Sequence, residues 1–330
     1  MIGDNVQAID SWTAYWRTGS GASCFVGSET EVHLTQVWNG FVDELADGAR
    51  LLDLATGNGT VVRSCAARAR VRNIRLHIEA VDAAEIDPPR HVADPEQFFR
   101  DVHFRGGIRL ETLPFPDGTF DGVVSQFGFE YADEEQAAAE AVRVLAPGGR
   151  LRLIIHARDG AVSRDISTRL ERLHSVLAEN GPVSLVLTLA RAAEAGDVAT
   201  VSRRSSHLAA AIELSRRLAD RPPPDDAALF YSREFLQLWA RRERYLPSAL
   251  RRSVEEGWAN VSGVALRQEQ LLRAARSAED MARIGARFAA ADLVLDAARE
   301  IHDRRGVQIA WMLDSRKSQT RGGAAGSSSP

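Results

Sequence analysis

The stretch Arg50-Leu51-Leu52-Asp53-Leu54-Ala55-Thr56-Gly57-Asn58-Gly59-Thr60 decides the fold. An apolar run of strand length ends in an acid, and a Gly-x-Gly turn then opens a helical pattern. Glycine has no Cβ, so a strand that ends this way lets a ligand come up against the backbone at the sheet edge. Val62 stands where the third glycine of a G-x-G-x-x-G loop would lie. A β-branched residue there prevents the close helix–strand approach of a pyrophosphate site, which speaks against a nicotinamide-dependent enzyme.

Working outward, Leu76–Val81 reads as the next strand and ends at Asp82, 23 residues beyond Gly59. A carboxylate in that position can accept hydrogen bonds from two ribose hydroxyls. Gly122–Gln126 reads as a further strand, and Asp133–Leu145 as an amphipathic helix that stops at Pro147-Gly148-Gly149. Leu151–His156 then reads as another strand. Strands alternating with helices predict a mostly parallel sheet covered on both faces.

Residues 1–45 are helical in pattern and aromatic-rich, with Trp12, Tyr15, Trp16, Phe25, Trp38 and Phe41, and Gly19–Ser23 breaks them. They are expected to cap a core formed by 46–160 and 291–317. Residues 161–290 carry helical spacing, broken at Asn180-Gly181-Pro182 and Pro222-Pro223-Pro224, and read as an insertion of several helices beside the substrate mouth. Leu293–His302 and Val307–Asp314 are expected to close the sheet as an antiparallel pair, and 318–330 to be a disordered tail.

With 330 residues, 45% of them apolar and 26% charged, the composition is that of a globular protein. A formal charge of -4 gives no electrostatic reason to expect nucleic acid as a partner. Lys317 is the chain's single lysine, and codon usage accounts for the arginine excess better than function does. Cys24 and Cys65 lie far apart, outside any metal-ligand or disulfide spacing. No apolar run reaches the roughly 18 residues of a membrane helix. No signal peptide is visible at Met1-Ile2-Gly3-Asp4, so a cytoplasmic location is expected.

Taken together, LLDLATGNGT at 51–60, AVDAAEI at 80–86, LPFPDGTFDGVVSQFGFEY at 113–131, VRVLAPGGRLRLIIH at 142–156 and GVQIAWMLDSRK at 306–317 resemble the class I S-adenosylmethionine-dependent methyltransferases of the ubiquinone-biosynthesis type. The resemblance implies a seven-stranded Rossmann-like sheet with an antiparallel closing strand, S-adenosylmethionine as cofactor and a small-molecule acceptor. It implies that Asp53, Ala55, Gly57, Asn58 and Gly59 line the methionine and ribose portions of the cofactor. Asp82 would hold the ribose, Ala83 and the backbone near Leu110 the adenine, and Ser125, Gln126 and Phe127 the methionine end. Ala55 replaces the family's usual first glycine. Arg109 replaces an aspartate that many members use to accept from the adenine amino group, leaving Glu111 as a substitute acceptor. The resemblance does not extend over 161–290, and it places the chain in bacterial secondary or cofactor metabolism.

Methyl transfer to a hydroxyl or a protonated amine is helped by a base. His156, at the end of its strand, is the preferred candidate, with Glu130 and Tyr131 as alternatives; a histidine bonded to loop backbone is the plainer reading of His156. His174 and His207 are expected as surface or helix-packing residues of the insertion, and His91 and His103 do not form a metal set. Phe230, Tyr231, Phe235, Trp239 and Trp258 would line an acceptor pocket, form the insertion's own core or make a homodimer contact; the helical spacing of Tyr231, Phe235 and Trp239 favours packing. A second class of reading is a methyltransferase-fold scaffold without catalysis, working through the insertion.

Overall fold

The computed structural model describes residues 2–18, 29–296 and 298–319. Two helices, α1 (Ile2–Arg17) and α2 (Glu29–Asp43), precede β1 (Ala49–Leu54), α3 (Thr60–Val71) and β2 (Leu76–Val81). Two single-turn helices, α4 (Pro88–His91) and α5 (Pro95–Phe98), lead to β3 (Val102–Arg105) and β4 (Phe120–Gln126). Then come a 3-10 turn at Phe129–Tyr131, α6 (Glu134–Val144) and β5 (Leu145–His156). Six helices follow: α7 (Ala161–Leu177), α8 (Pro182–Glu194), α9 (Val198–Ser205), α10 (Leu208–Leu218), α11 (Ala227–Ala240) and α12 (Pro247–Ala274). The chain returns through α13 (Ala278–Ala290), β6 (Leu293–Leu295), β7 (Arg299–His302) and β8 (Gln308–Lys317).

The sheet runs β3-β2-β1-β4-β5-β8-β6, with β7 also on β8. Neighbours from β3 to β5 are parallel, and β8 is antiparallel to β5, β6 and β7. The strand order reverses between β1 and β4, so the crevice of a doubly wound fold opens at their carboxyl ends. Among the described residues the sheet counts eight strands where seven were expected, because β6 and β7 pair with β8 separately, the first ending at Leu295↔Ser315 and the second starting at Arg299↔Met312.

The central strands are buried on both faces. Leu51, Leu52, Leu54, Val123, Val124, Leu151, Leu153, Ile154 and Ile155 have no exposed surface, and at about 1.5–3 kcal/mol per fully buried side chain they dominate the stability of the sheet. Helix α6 starts at Asp133, whose carboxylate accepts from Gln136 N at 3.0 Å. It ends at Val144, ahead of the Pro147-Gly148-Gly149 stop, because Leu145 already pairs with Phe120. Strand β3 lacks an apolar run: its four residues are half-buried or exposed at the sheet edge.

Two compact units emerge, Met1–Ser163 with Ala274–Pro330, and Arg164–Arg273. The second has its own apolar core, in which Phe235 and Trp239 are buried among Leu185, Leu189, Val254 and Val261, with Tyr231 packed against them. Phe230 and Trp258 are exposed. Helix α13, within the helical stretch 161–290, packs Met281, Ile284 and Phe288 into the core of the sheet. A Ser277–Asp280 capping box starts that helix. Among the described residues no helix is long and apolar enough to cross a membrane.

Candidate active site at the carboxyl edge of the sheet

Asp53 closes β1 and is almost fully buried. Its Oδ2 accepts from Thr56 Oγ1 at 2.6 Å, while Oδ1 is buried with no hydrogen-bond partner among the described residues. Burial pushes this carboxyl up to about 7, against the Thr56 hydrogen bond and with added repulsion from Asp82. Ala55, Gly57 and Gly59 all take left-handed backbone, with φ of 53°, 52° and 78°. Alanine is strained there. The methyl is accommodated because the facing residue is Gly128, where a Cβ would lie 2.4 Å from that of Ala55.

Asp82 ties the second loop to the first. Its Oδ2 accepts from the Gly57 N–H and its Oδ1 from the Ala84 N–H, both at 2.8 Å. Burial raises its carboxyl to about 6 against these two hydrogen bonds. Each oxygen retains acceptor capacity for a ligand hydroxyl. Asn58 Oδ1 is likewise buried without a partner among the described residues. Two desolvated carboxylates and unpartnered acceptor oxygens suit a cationic ligand rich in N–H and O–H donors. They would repel a phosphate.

His156 ends β5 and is 2% exposed. Its Nδ1 lies 2.8 Å from Glu130 Oε1, and the same oxygen accepts the His156 backbone N–H at 2.9 Å. An ionised Glu130 can only accept, so the neutral ring carries its proton on Nδ1 and leaves Nε2 as an acceptor. His156 Nε2 and Glu130 Oε2 are both buried with no partner among the described residues. Such atoms are costly to leave unbonded and are where a ligand can bond. Phe127 stacks on the imidazole at 4.2 Å, and Tyr131 meets it edge-on at 6.4 Å. Phe127 holds a φ of 57°, an outlier for a bulky side chain, at a cost of about 1–3 kcal/mol. Sequence reasoning named His156 and Glu130 as rival bases; the structure brings them together as one pair, with Tyr131 beside it.

Other expected residues make contacts within the fold. Ser125 Oγ donates to Leu54 O at 2.8 Å and accepts from Phe129 N at 3.1 Å, tying β4 to β1 and to the 3-10 turn. Gln126 Oε1 accepts from the Trp38 indole at 2.7 Å. Leu110 is buried in the core of the sheet, and Ala83 is half-buried beside Asp82. Arg109 points to Glu111 Oε1 at 3.2 Å, and that oxygen also accepts the Asp133 N–H at 2.9 Å. That oxygen of Glu111 is therefore engaged by the start of α6. His103 pairs with Glu79 and His174 with Glu269, both on the surface, and His207 is half-buried at the start of α10. Among the described residues no group of three potential ligands is placed to hold a metal ion.

Helix α1 lies across these loops. The Trp16 ring rests on Gly57, where a Cβ would meet it at 2.6 Å, so only glycine fits beneath the indole. Asn58 Nδ2 donates to Trp16 O at 3.2 Å, and the Glu85 N–H donates to Thr13 Oγ1 at 3.0 Å. Trp12 stacks on Trp16 and packs edge-on against Tyr131 at 5.7 Å. The aromatic N-terminal pattern was legible, but nothing in it assigned Trp16 to Gly57.

Residues 52–153 match a family model described as a methyltransferase domain. The demethylmenaquinone methyltransferase of Thermus thermophilus is 43% identical over 105 residues, 31% of this chain and 44% of that protein. The ubiquinone/menaquinone biosynthesis C-methyltransferase of Geobacter sulfurreducens is 36% identical over 111 residues, 32% of this chain and 41% of that protein. The chain thus spans less than half the length of these curated relatives. Among solved structures, a SAM dependent methyltransferase from Aquifex aeolicus aligns at 11% identity and a TM-score of 0.41 over 87% of this chain and 88% of that one. The matched residues span the β1 loop, the Asp82 turn, the end of β4 and most of β5, and over them the chain carries a methyltransferase domain similar to those of these relatives.

Proposed function

We propose that the protein binds S-adenosylmethionine on the Asp53–Gly59 loop and Asp82, and methylates a small molecule whose accepting atom gives up a proton to His156. The cofactor supplies an electrophilic methyl on a sulfonium, and the chain supplies position, exclusion of water and proton acceptance. Asp53 would take up the ammonium or a hydroxyl donor through its unpartnered oxygen, and Asp82 the ribose hydroxyls. The observation that carries the acceptor chemistry is the buried His156–Glu130 pair. Glu130 holds the imidazole with Nε2 as acceptor, and it stabilises the imidazolium formed when a proton arrives. An acceptor that bonds to Nε2 must carry an O–H or N–H, and the rings of Phe127 and Tyr131 favour a flat aromatic carrier of that group.

Titration calorimetry with S-adenosylhomocysteine tests the cofactor half, and absence of heat at high protein concentration would sink it. Transfer of labelled methyl to a panel of phenols, catechols and heteroaromatic amines tests the acceptor half. On an accepted substrate, His156→Ala should lower kcat by roughly 10²–10⁴-fold, with S-adenosylhomocysteine affinity preserved. An unchanged rate would remove His156 from the chemistry. The scaffold reading draws on Arg109, which stands in sequence where many related methyltransferases carry an aspartate that accepts from adenine; it gains if the ligand binds and nothing in the panel is methylated.

Helix α1 acts in this reading as a cover over the bound cofactor. Trp16→Ala should speed S-adenosylhomocysteine release by about tenfold in a stopped-flow chase, affinity changes being carried mainly by the off-rate. An unaltered release rate would show that α1 does not cover the ligand.

A further inference from the structure

The segment Ala275-Arg276-Ser277 lies between the helical unit and α13, and its middle residue is bonded to both members of the proposed catalytic pair. The Arg276 N–H donates to the His156 carbonyl at 2.8 Å, and the Arg158 N–H donates to the Arg276 carbonyl at 2.9 Å. Ala157 and Arg276 form an isolated parallel bridge, one extra rung beside the end of β5. The indole of Trp311, whose residue pairs with Ile155, also donates to Arg276 O at 3.0 Å. The guanidinium makes a second set of bonds. Its Nη2 donates to the Glu130 carbonyl at 3.0 Å and its Nη1 to the Ala274 carbonyl at 2.6 Å, and its Nε lies 3.7 Å from Glu134 Oε2. The side chain is only 15% exposed, so these contacts are made largely out of water.

We propose that Arg276 is a positioning residue for the Glu130–His156 pair, an inference that rests on reading that pair as the proton acceptor. Its main chain fixes where β5 ends, and its guanidinium fixes the 3-10 turn that carries Glu130. The 2.8 Å contact between Nδ1 and Oε1 depends on the spacing of those two main-chain segments. With the guanidinium gone, the Glu130 carbonyl loses this bond and the turn is freed to shift against the strand. Glu130 then no longer dictates which ring nitrogen of His156 holds the proton.

The full-length protein labelled with ¹⁵N-histidine, with S-adenosylhomocysteine bound, reads this directly, because two-bond proton–nitrogen correlations distinguish the ring tautomers. The natural protein should show His156 as a single Nδ1–H tautomer. Arg276→Met, which keeps the apolar stem and removes every donor, should lose that single signature, and Arg276→Lys should recover part of it. Arg276→Ala should behave as the methionine variant does. S-adenosylhomocysteine affinity should stay within about threefold in each folded variant, a difference below 1 kcal/mol. A wild-type tautomer in Arg276→Met, alongside a lost signature in Glu130→Leu, which removes the acceptor, would overturn the proposal and leave the pair intact. An unchanged tautomer in Glu130→Leu, or an Nε2–H tautomer in the natural protein, would instead defeat the reading of the pair itself. Failure of both the methionine and alanine variants to fold, with the lysine variant folded, would overturn the proposal by making Arg276 a determinant of the fold.

Discussion

Asp82→Ala is expected to weaken S-adenosylhomocysteine binding by at least about 100-fold at pH 8. A carboxylate that accepts two ribose hydroxyls makes two charge-assisted hydrogen bonds, each of roughly 1.5–3 kcal/mol, and 1.4 kcal/mol is a tenfold change in affinity. The substitution also strips the Gly57 and Ala84 N–H groups of their acceptor, so part of any loss would come from a loosened loop. A cycle with a ligand lacking the 2′-hydroxyl separates the two effects. The natural protein should bind that analogue markedly more weakly than S-adenosylhomocysteine, whereas Asp82→Ala should bind the two alike. Equal discrimination in both proteins would mean that Asp82 shapes the loop without touching the ribose.

The parts of this candidate site that could be read from sequence are those in which local backbone geometry dictates the residue type. Asp53, Gly57 and Gly59 follow a buried apolar strand, and their backbone has to be left-handed for the loop to turn, so glycine marks the place. Asp82 was legible from its distance along the chain and its position after a strand. Strand β3 was not, because Val102–Arg105 alternates half-buried with exposed residues at a sheet edge and leaves no apolar run. The union of Glu130 with His156 spans 26 residues of chain and arises from two loop ends meeting at the sheet edge, which no periodicity encodes. Arg276 was hidden among the many arginines of a helical stretch. The one signal near it was Ser277 followed three residues on by Asp280, which marks a helix start within a stretch read only as several helices. The bonds of Ser125 were not legible either, because its hydroxyl meets the Leu54 carbonyl across two strands that are 71 residues apart in sequence.

The second large effect concerns pH. Asp53 and Asp82, with carboxyls raised to about 7 and about 6, are held above the ordinary value of 3.8 chiefly by burial. Because the folded values exceed the unfolded ones, their stabilising contribution is complete below pH 3.8 and is lost as pH rises through 6 and 7. The ligand-free protein should therefore lose roughly 3 kcal/mol of unfolding free energy between pH 5.5 and pH 8 from these two groups. Carboxyls held low by partners, such as Asp280 at about 2, contribute stability that is lost only as pH falls through their folded values, outside that window. Cofactor binding should run the opposite way. The ammonium and hydroxyl donors of the ligand need ionised acceptors, so affinity should fall by up to about 100-fold from pH 8 to pH 5.5, the product of two proton-binding steps. Calorimetry in buffers of different ionisation enthalpy should show protons released on binding near pH 6.5, and thermal unfolding should show the ligand's stabilisation growing with pH. A dissociation constant flat across this range, with no proton release, would mean that neither carboxyl gives up a proton to meet the ligand. The desolvation that raises these two groups would then be a cost of the fold alone, with no part in recognising a cation.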